Sequence, residues 1–322
     1  MWKKFLLTAM VVVAVQPANA QITIDGTYDA FYGSAIAVQT VETGFGDNQS
    51  EWNAVYARLT GNRLNVLITG NIEANFNKLS IFFDTNSAGE NVLSASPQYD
   101  FFNGSNWISS NQQGMTFDSG FAANYHMYAR AGGGNFTVDF VDRLGGASNA
   151  VNGNTGSAAY AGGIGAIGNG QVDPGNLVNG SSVGNHLNNS IFWAMNNSNT
   201  AGIGGNAGAA ANQAAALAVM TGFEFSIDLS DLNLDSNLIR LAIMQGNGDH
   251  NYLSNQTFGG LPVGTGNLGG DGAGNFTGTL SGINFNNFAG QQFITIAVPE
   301  PGTFGFFALA GLLGLAKRRR SI

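Results

Sequence analysis

Oxygen-bearing side chains crowd most densely into Asp84-Thr85-Asn86-Ser87-Ala88-Gly89-Glu90-Asn91. Calcium takes about 6–8 oxygen ligands, and loops with alternating oxygen side chains and a turn glycine often supply them. Asp84, Asn86 and Asn91 are the candidate ligands, and Asp100 is the nearest added carboxylate. An EF-hand loop would need a second carboxylate and a terminal glutamate at set positions, and these are not in place here. The competing reading is an Asx-rich turn whose side chains satisfy their own backbone, and it is the favoured one. Gly246-Asn247-Gly248-Asp249-His250-Asn251 is a sparser loop of the same kind.

Other chemistry is harder to place. His126, His186 and His250 are scattered, and no H-E-x-x-H, G-x-S-x-G or P-loop occurs. Gly163-Ile164-Gly165-Ala166-Ile167-Gly168 fits G-x-G-x-x-G. A dinucleotide site would also need a strand before it, a helix after it and a distal acid. In a chain with 47 glycines, chance explains the match better. There is no cysteine, which excludes disulfides, thiolate metal sites and cysteine nucleophiles. Two carboxylates across a cleft would hydrolyse glycosides, but nothing in the spacing of the acids pairs them. The sequence therefore predicts no enzyme. Trp107, in Phe101-Phe102-Asn103-Gly104-Ser105-Asn106-Trp107, is the candidate for stacking on a sugar face, whereas Trp52 and Trp193 border strands and belong in the core.

Any such site must be held by strands. Short alternating segments rich in Val, Ile, Phe, Tyr and Thr recur at Ala35–Val41, Asn53–Leu59, Leu64–Ile72, Lys78–Asp84, Tyr125–Arg130, Phe136–Leu144, Ile191–Met195, Phe223–Leu229, Leu238–Met244 and Gln292–Val298. Thr60-Gly61-Asn62-Arg63 and Ala131-Gly132-Gly133-Gly134-Asn135 read as hairpin turns. Ala207–Val219 is the one helix candidate, and Ser230–Leu234 a single turn. The pattern predicts an all-β chain, a single large jelly-roll-like β-sandwich over residues 21–298. Residues 145–189, dominated by Gly, Asn, Ala and Ser, read as an insertion within it.

The ends differ in kind from the body. Lys3 and Lys4, the apolar Phe5–Val15 and the small pair Ala18 and Ala20 form a secretory signal peptide over residues 1–20, cut before Gln21. At the other end, Pro299, Glu300 and Pro301 form a strip that cannot be helical. The uncharged run Gly302–Ala316 follows, with a helical reach of about 22 Å, short for a membrane span of about 30 Å. Lys317, Arg318, Arg319 and Arg320 close it and would stay on the cytoplasmic side. The two termini hold six of the 12 cations and one of the 20 acids, so the body has a formal charge of −13. Such a surface repels nucleic acid, which is bound through Lys and Arg.

Val298-Pro299-Glu300-Pro301, a short apolar helix and an arginine cluster resemble the bacterial PEP-CTERM sorting tail. That resemblance implies recognition by an exosortase and a transient inner-membrane anchor through residues 299–322. It implies cleavage near Pro-Glu-Pro, and release to the cell surface or polysaccharide matrix of a Gram-negative bacterium. Near its start the body reads Ile22-Thr23-Ile24-Asp25-Gly26-Thr27-Tyr28-Asp29, and it contains Gly222-Phe223-Glu224-Phe225-Ser226-Ile227-Asp228-Leu229-Ser230-Asp231-Leu232. These segments resemble the start and a late strand of carbohydrate-binding family 9-like and DOMON-like sandwiches. Sugar binding does not carry over with them, because that group's tryptophan pattern has no positional match here. The expected role is a structural or adhesive surface component, with exopolysaccharide binding as the alternative and a secreted hydrolase behind both.

Overall fold

The computed structural model describes residues 22–96, 101–102, 106–145, 152–178 and 185–299. In chain order the strands are β1 (Ala37–Val38), β2 (Trp52–Thr60), β3 (Arg63–Gly70), β4 (Lys78–Asp84), β5 (Phe101–Phe102), β6 (Asn106–Trp107), β7 (Tyr125–Gly132) and β8 (Asn135–Asp142). They continue as β9 (Asn152–Ala159), β10 (Ile167–Val172), β11 (Ile191–Asn196), β12 (Gly222–Asp228), β13 (Leu238–Gly246), β14 (Leu253–Thr257) and β15 (Ile294–Ala297). Two short helices, α1 (Ile108–Gln112) and α2 (Gln213–Ala218), accompany them.

One sheet runs β1-β2-β3-β12-β11-β10, and the other β14-β13-β4-β7-β8-β9 with β15 also on β13. Every pairing within them is antiparallel. The alternation seen in sequence sets which side chains meet. Leu64, Val66 and Ile68 of β3 face Leu79, Ile81 and Phe83 of β4 in one core with Phe136, Trp193, Phe223 and Phe225. Phe83 stands edge-on to Phe225 at 6.1 Å, and Phe136 lies 5.1 Å from Trp193. Trp52 and Trp193 are both core residues, as their position beside strands predicts.

The turns form where glycine permits. Gly61 (φ 57°) begins the β2–β3 turn, and Gly133 and Gly134 (φ 60° and 81°) make the β7–β8 turn, the left-handed pair that a tight hairpin favours. Strands consecutive in sequence also lie side by side in the sheets, β7-β8-β9 in one and β10-β11-β12 in the other. The expected jelly-roll order is therefore not the one observed.

One further expectation is corrected. The helix predicted over Ala207–Val219 shrinks to α2, because the Gly- and Asn-rich start of that stretch is turn. The stretch 145–189, read as an insertion, contains β9 and β10, which lie on different sheets and meet along one side of the body. Thr155 N–H donates to Asn176 O at 2.8 Å, and Val178 N–H to Gly153 O at 3.1 Å. Glycine makes this seam possible. A Cβ on Gly156 would collide with the Gln171 carbonyl, and one on Gly170 would stand 2.6 Å from the Trp193 ring.

The outer faces are covered as well. A second apolar cluster packs Phe82 of β4 against Phe117, Leu268, Ile283 and Phe285 from the loop-rich segments. The N-terminal residues Ile22 and Tyr32 cover Ala54, Tyr56 and Leu67 on the other sheet.

Candidate functional site

β15 is the last strand, and its sequence Ile-Thr-Ile-Ala alternates strictly. Ile294 and Ile296 are buried and Thr295 and Ala297 are exposed. Ala297 pairs with Leu238 of β13, and Val298 N–H donates to Asn237 O at 2.8 Å. Pro299 has no N–H to continue the ladder, and it is exposed. At this end a cleft of 1420 Å³ opens between the β2–β3 turn, the Leu229–Asn237 segment and the end of β15. Leu59, Leu229, Leu234, Ile296 and Val298 line it.

A second cleft, of 610 Å³, gathers three of the four predicted calcium ligands: Asp84, Asn86 and Asn91. Each of the three side chains hydrogen-bonds to protein groups. Asp84 Oδ2 accepts from Arg240 Nη1 at 3.0 Å and from Ala122 N–H at 3.3 Å. Burial raises the Asp84 carboxyl above its ordinary range, opposed by the Ala122 and Arg240 bonds. Asn91 Nδ2 donates to three carbonyls, those of Phe117, Asp118 and Phe121. Asn86 Oδ1 accepts from Ala88 N–H, the Asx turn expected for the run. Among the described residues no group of three or more His, Asp or Glu is arranged to hold a metal ion. The Gly246–Asn251 loop is also closed on itself, since Asn247 Oδ1 accepts from the N–H groups of Asn251 and Tyr252.

The family model described as the PEP-CTERM protein-sorting motif matches residues 297–320. The chain carries a PEP-CTERM tail. Its first residues, Ala297 to Pro299, are the end of the folded body described above. A PEP-CTERM tail implies an exported protein processed by an exosortase. No curated protein and no solved structure matches the chain.

Several predicted residues lie outside the described ones: Ala18, Ala20, Asp100, Glu300, Pro301, Lys317, Arg318, Arg319 and Arg320. Among the described residues no helix is long and apolar enough to cross a membrane. Trp107 is placed by its backbone in β6, paired with Phe101 of β5. Gly163–Gly168 forms a turn running into strand β10, so the G-x-G-x-x-G spacing opens no helix.

Two buried polar groups escaped the sequence reading. Glu224 of β12 is fully buried and accepts from the N–H groups of Asp25 and Gly26 at 2.9 and 2.8 Å and from Tyr32 Oη at 2.7 Å. Burial pushes this carboxyl up to about 7 in spite of those bonds, while desolvation and Glu224 together push the Tyr32 phenol up. The second group is a histidine pair on the opposite side. His126 stacks on Phe82 at 4.1 Å and stands edge-on to His250 at 5.5 Å. Gln112 Nε2 lies 2.7 Å from His250 Nδ1. That contact pairs the Gln112 amide with the His250 ring. Both rings are fully buried, and desolvation first, then nearby cations including Lys78, keeps them neutral. The alternation of β7 places His126 on the outer face. Its burial depends on loops whose packing no local pattern reveals.

Proposed function

We propose that the protein is a non-enzymatic structural or adhesive component of the cell surface or extracellular matrix. A signal peptide at 1–20 starts its export. Residues 21–298 form the β-sandwich body, and residues 299–322 anchor it in the inner membrane until an exosortase cuts near Pro-Glu-Pro. The observation that carries the reading is the sorting motif at 297–320, joined directly to the last strand of the body. The acidic body, −13 over residues 21–298, agrees with a role among hydrated polymers rather than nucleic acids. Mass spectrometry of the mature molecule from its host tests this. The expected product begins at Gln21 and lacks Lys317–Arg320. Recovery of surface material that still carries Arg320 would overturn it. Deleting Pro299–Ile322 is expected to misdirect the protein, and unchanged localisation would count equally against sorting.

Exopolysaccharide binding is the second reading. It is favoured by the cleft that sets Asp84, Arg240, Ser87 and Asn286 beside Phe121 and Leu238. Retention on the host polysaccharide, reduced by Arg240→Ala or Trp107→Ala, is the expected result. Equal retention of all three proteins removes it.

A further inference from the structure

The sorting motif leaves almost no slack. Its match begins at residue 297, inside β15, and the ladder continues through the bond from Val298 N–H to Asn237 O. Even at full stretch, any three residues such as 299–301 could reach no more than about 10 Å. An enzyme that grips this strip must therefore press against the end of the body from which it emerges. The alternative, peeling β15 away, would expose Ile294 and Ile296, both buried in the main core.

We propose that the cleft beside Val298 is a docking surface for the membrane-embedded processing enzyme. The inference rests on the sorting reading above and adds where that enzyme touches the body. The cleft suits apolar loops, because Leu59, Leu229, Leu234 and Val298 of its wall are only partly buried by the body itself. Its rim is polar, with Arg58, Asp235 and Asn237. The wall ends in Pro299, the first residue of the strip to be gripped, so cleft and strip are presented together.

Asn237 allows a test that spares the core, since it is exposed and its side chain makes no hydrogen bond among the described residues. The full chain is followed by pulse-chase in its own host. Asn237→Arg and Asn237→Glu are compared with the parent, each with the native joint and with a flexible Gly/Ser linker between Val298 and Pro299. Both substitutions are expected to slow cleavage by about tenfold at the native joint, the scale of one disturbed contact residue. The linker is expected to restore the parental rate, because the strip then reaches the enzyme without the cleft. Parental rates for both variants at the native joint would overturn the proposal. So would slowing by Asn237→Glu only, which points to an anionic lipid surface instead of a protein. Slowing that persists with the linker would also overturn it. If the unmodified chain, or an unrelated domain carrying residues 299–322 behind the same flexible linker, is never cut, the sorting reading itself fails.

Discussion

At the scale of single residues, Glu224 shows how one carboxyl fastens two distant segments. Its partners Asp25, Gly26 and Tyr32 come from the start of the body, nearly two hundred positions earlier in the chain. The folded carboxyl titrates near 7 and an ordinary glutamate near 4.5, so the folded state holds the proton more tightly. This group thus contributes most to stability below about 4.5 and loses that contribution as pH rises through 7. In Glu224→Gln the amide oxygen can still accept from both backbone N–H groups, and its NH2 can donate to Tyr32. The melting temperature of this variant relative to the parent is expected to climb between pH 4.5 and 7 and then level off. A difference that stays constant with pH would refute the assignment. Asp84 yields a second expectation. Its carboxylate already faces the Arg240 guanidinium, so millimolar calcium is expected to leave the melting temperature unchanged. A rise of several degrees would mean that a cation displaces Arg240. Both segments that Glu224 joins were conspicuous in the sequence, but nothing local to either told that they touch. The Asx turn at Asn86 was legible because its hydrogen bonds are made within the run itself.

At the scale of elements, legibility followed side-chain chemistry. β4 occupies the predicted Lys78–Asp84, and β12 differs from its predicted span by one residue at each end. Both are rich in large or β-branched residues whose alternation shows. β9 (Asn-Gly-Asn-Thr-Gly-Ser-Ala-Ala) and β10 (Ile-Gly-Asn-Gly-Gln-Val) have almost no such residues. Neighbours hold them, since β9 ladders onto β8 along eight residue pairs and β10 onto β11 along six. Glycine is selected there by lack of room, a tertiary cause that composition disguises as a loop. The seam gives a direct comparison. Gly156→Ala is expected to cost about 1–3 kcal/mol in chemical denaturation, the usual penalty for overpacking. Gly266→Ala has open space around the new methyl and is expected to be near neutral. Equal tolerance at both positions would mean that the stretch packs loosely.

At the scale of the whole molecule, the folded core ends at Val298, one residue after the sorting motif begins. Every residue of the main core precedes that point, apart from the partly buried Val298 that packs on its margin. Ending the chain after Val298 is therefore expected to preserve the melting temperature of the body. Ending it after Phe293 removes β15 and with it Ile294 and Ile296. Each is worth about 1.5–3 kcal/mol when fully buried, and the shorter chain is expected to melt distinctly lower. Similar melting of the two products would show that β15 is dispensable. Differential scanning calorimetry on both separates these outcomes.

The glycine seam also decides where a reporter can be spliced into this molecule. Residues 152–178 carry the sequence bias of a spacer, so an epitope or fluorescent probe placed there would look harmless on paper. It would wedge the two sheets apart at the margin where they touch most closely. The turn at Val263-Gly264-Thr265 is the better place: Val263 is 65 % exposed, and Gly264 has no neighbouring atom where a side chain would begin. A colony imaged with a probe at that turn would display the protein in its native shape, whereas one imaged through the seam would show where damaged copies accumulate.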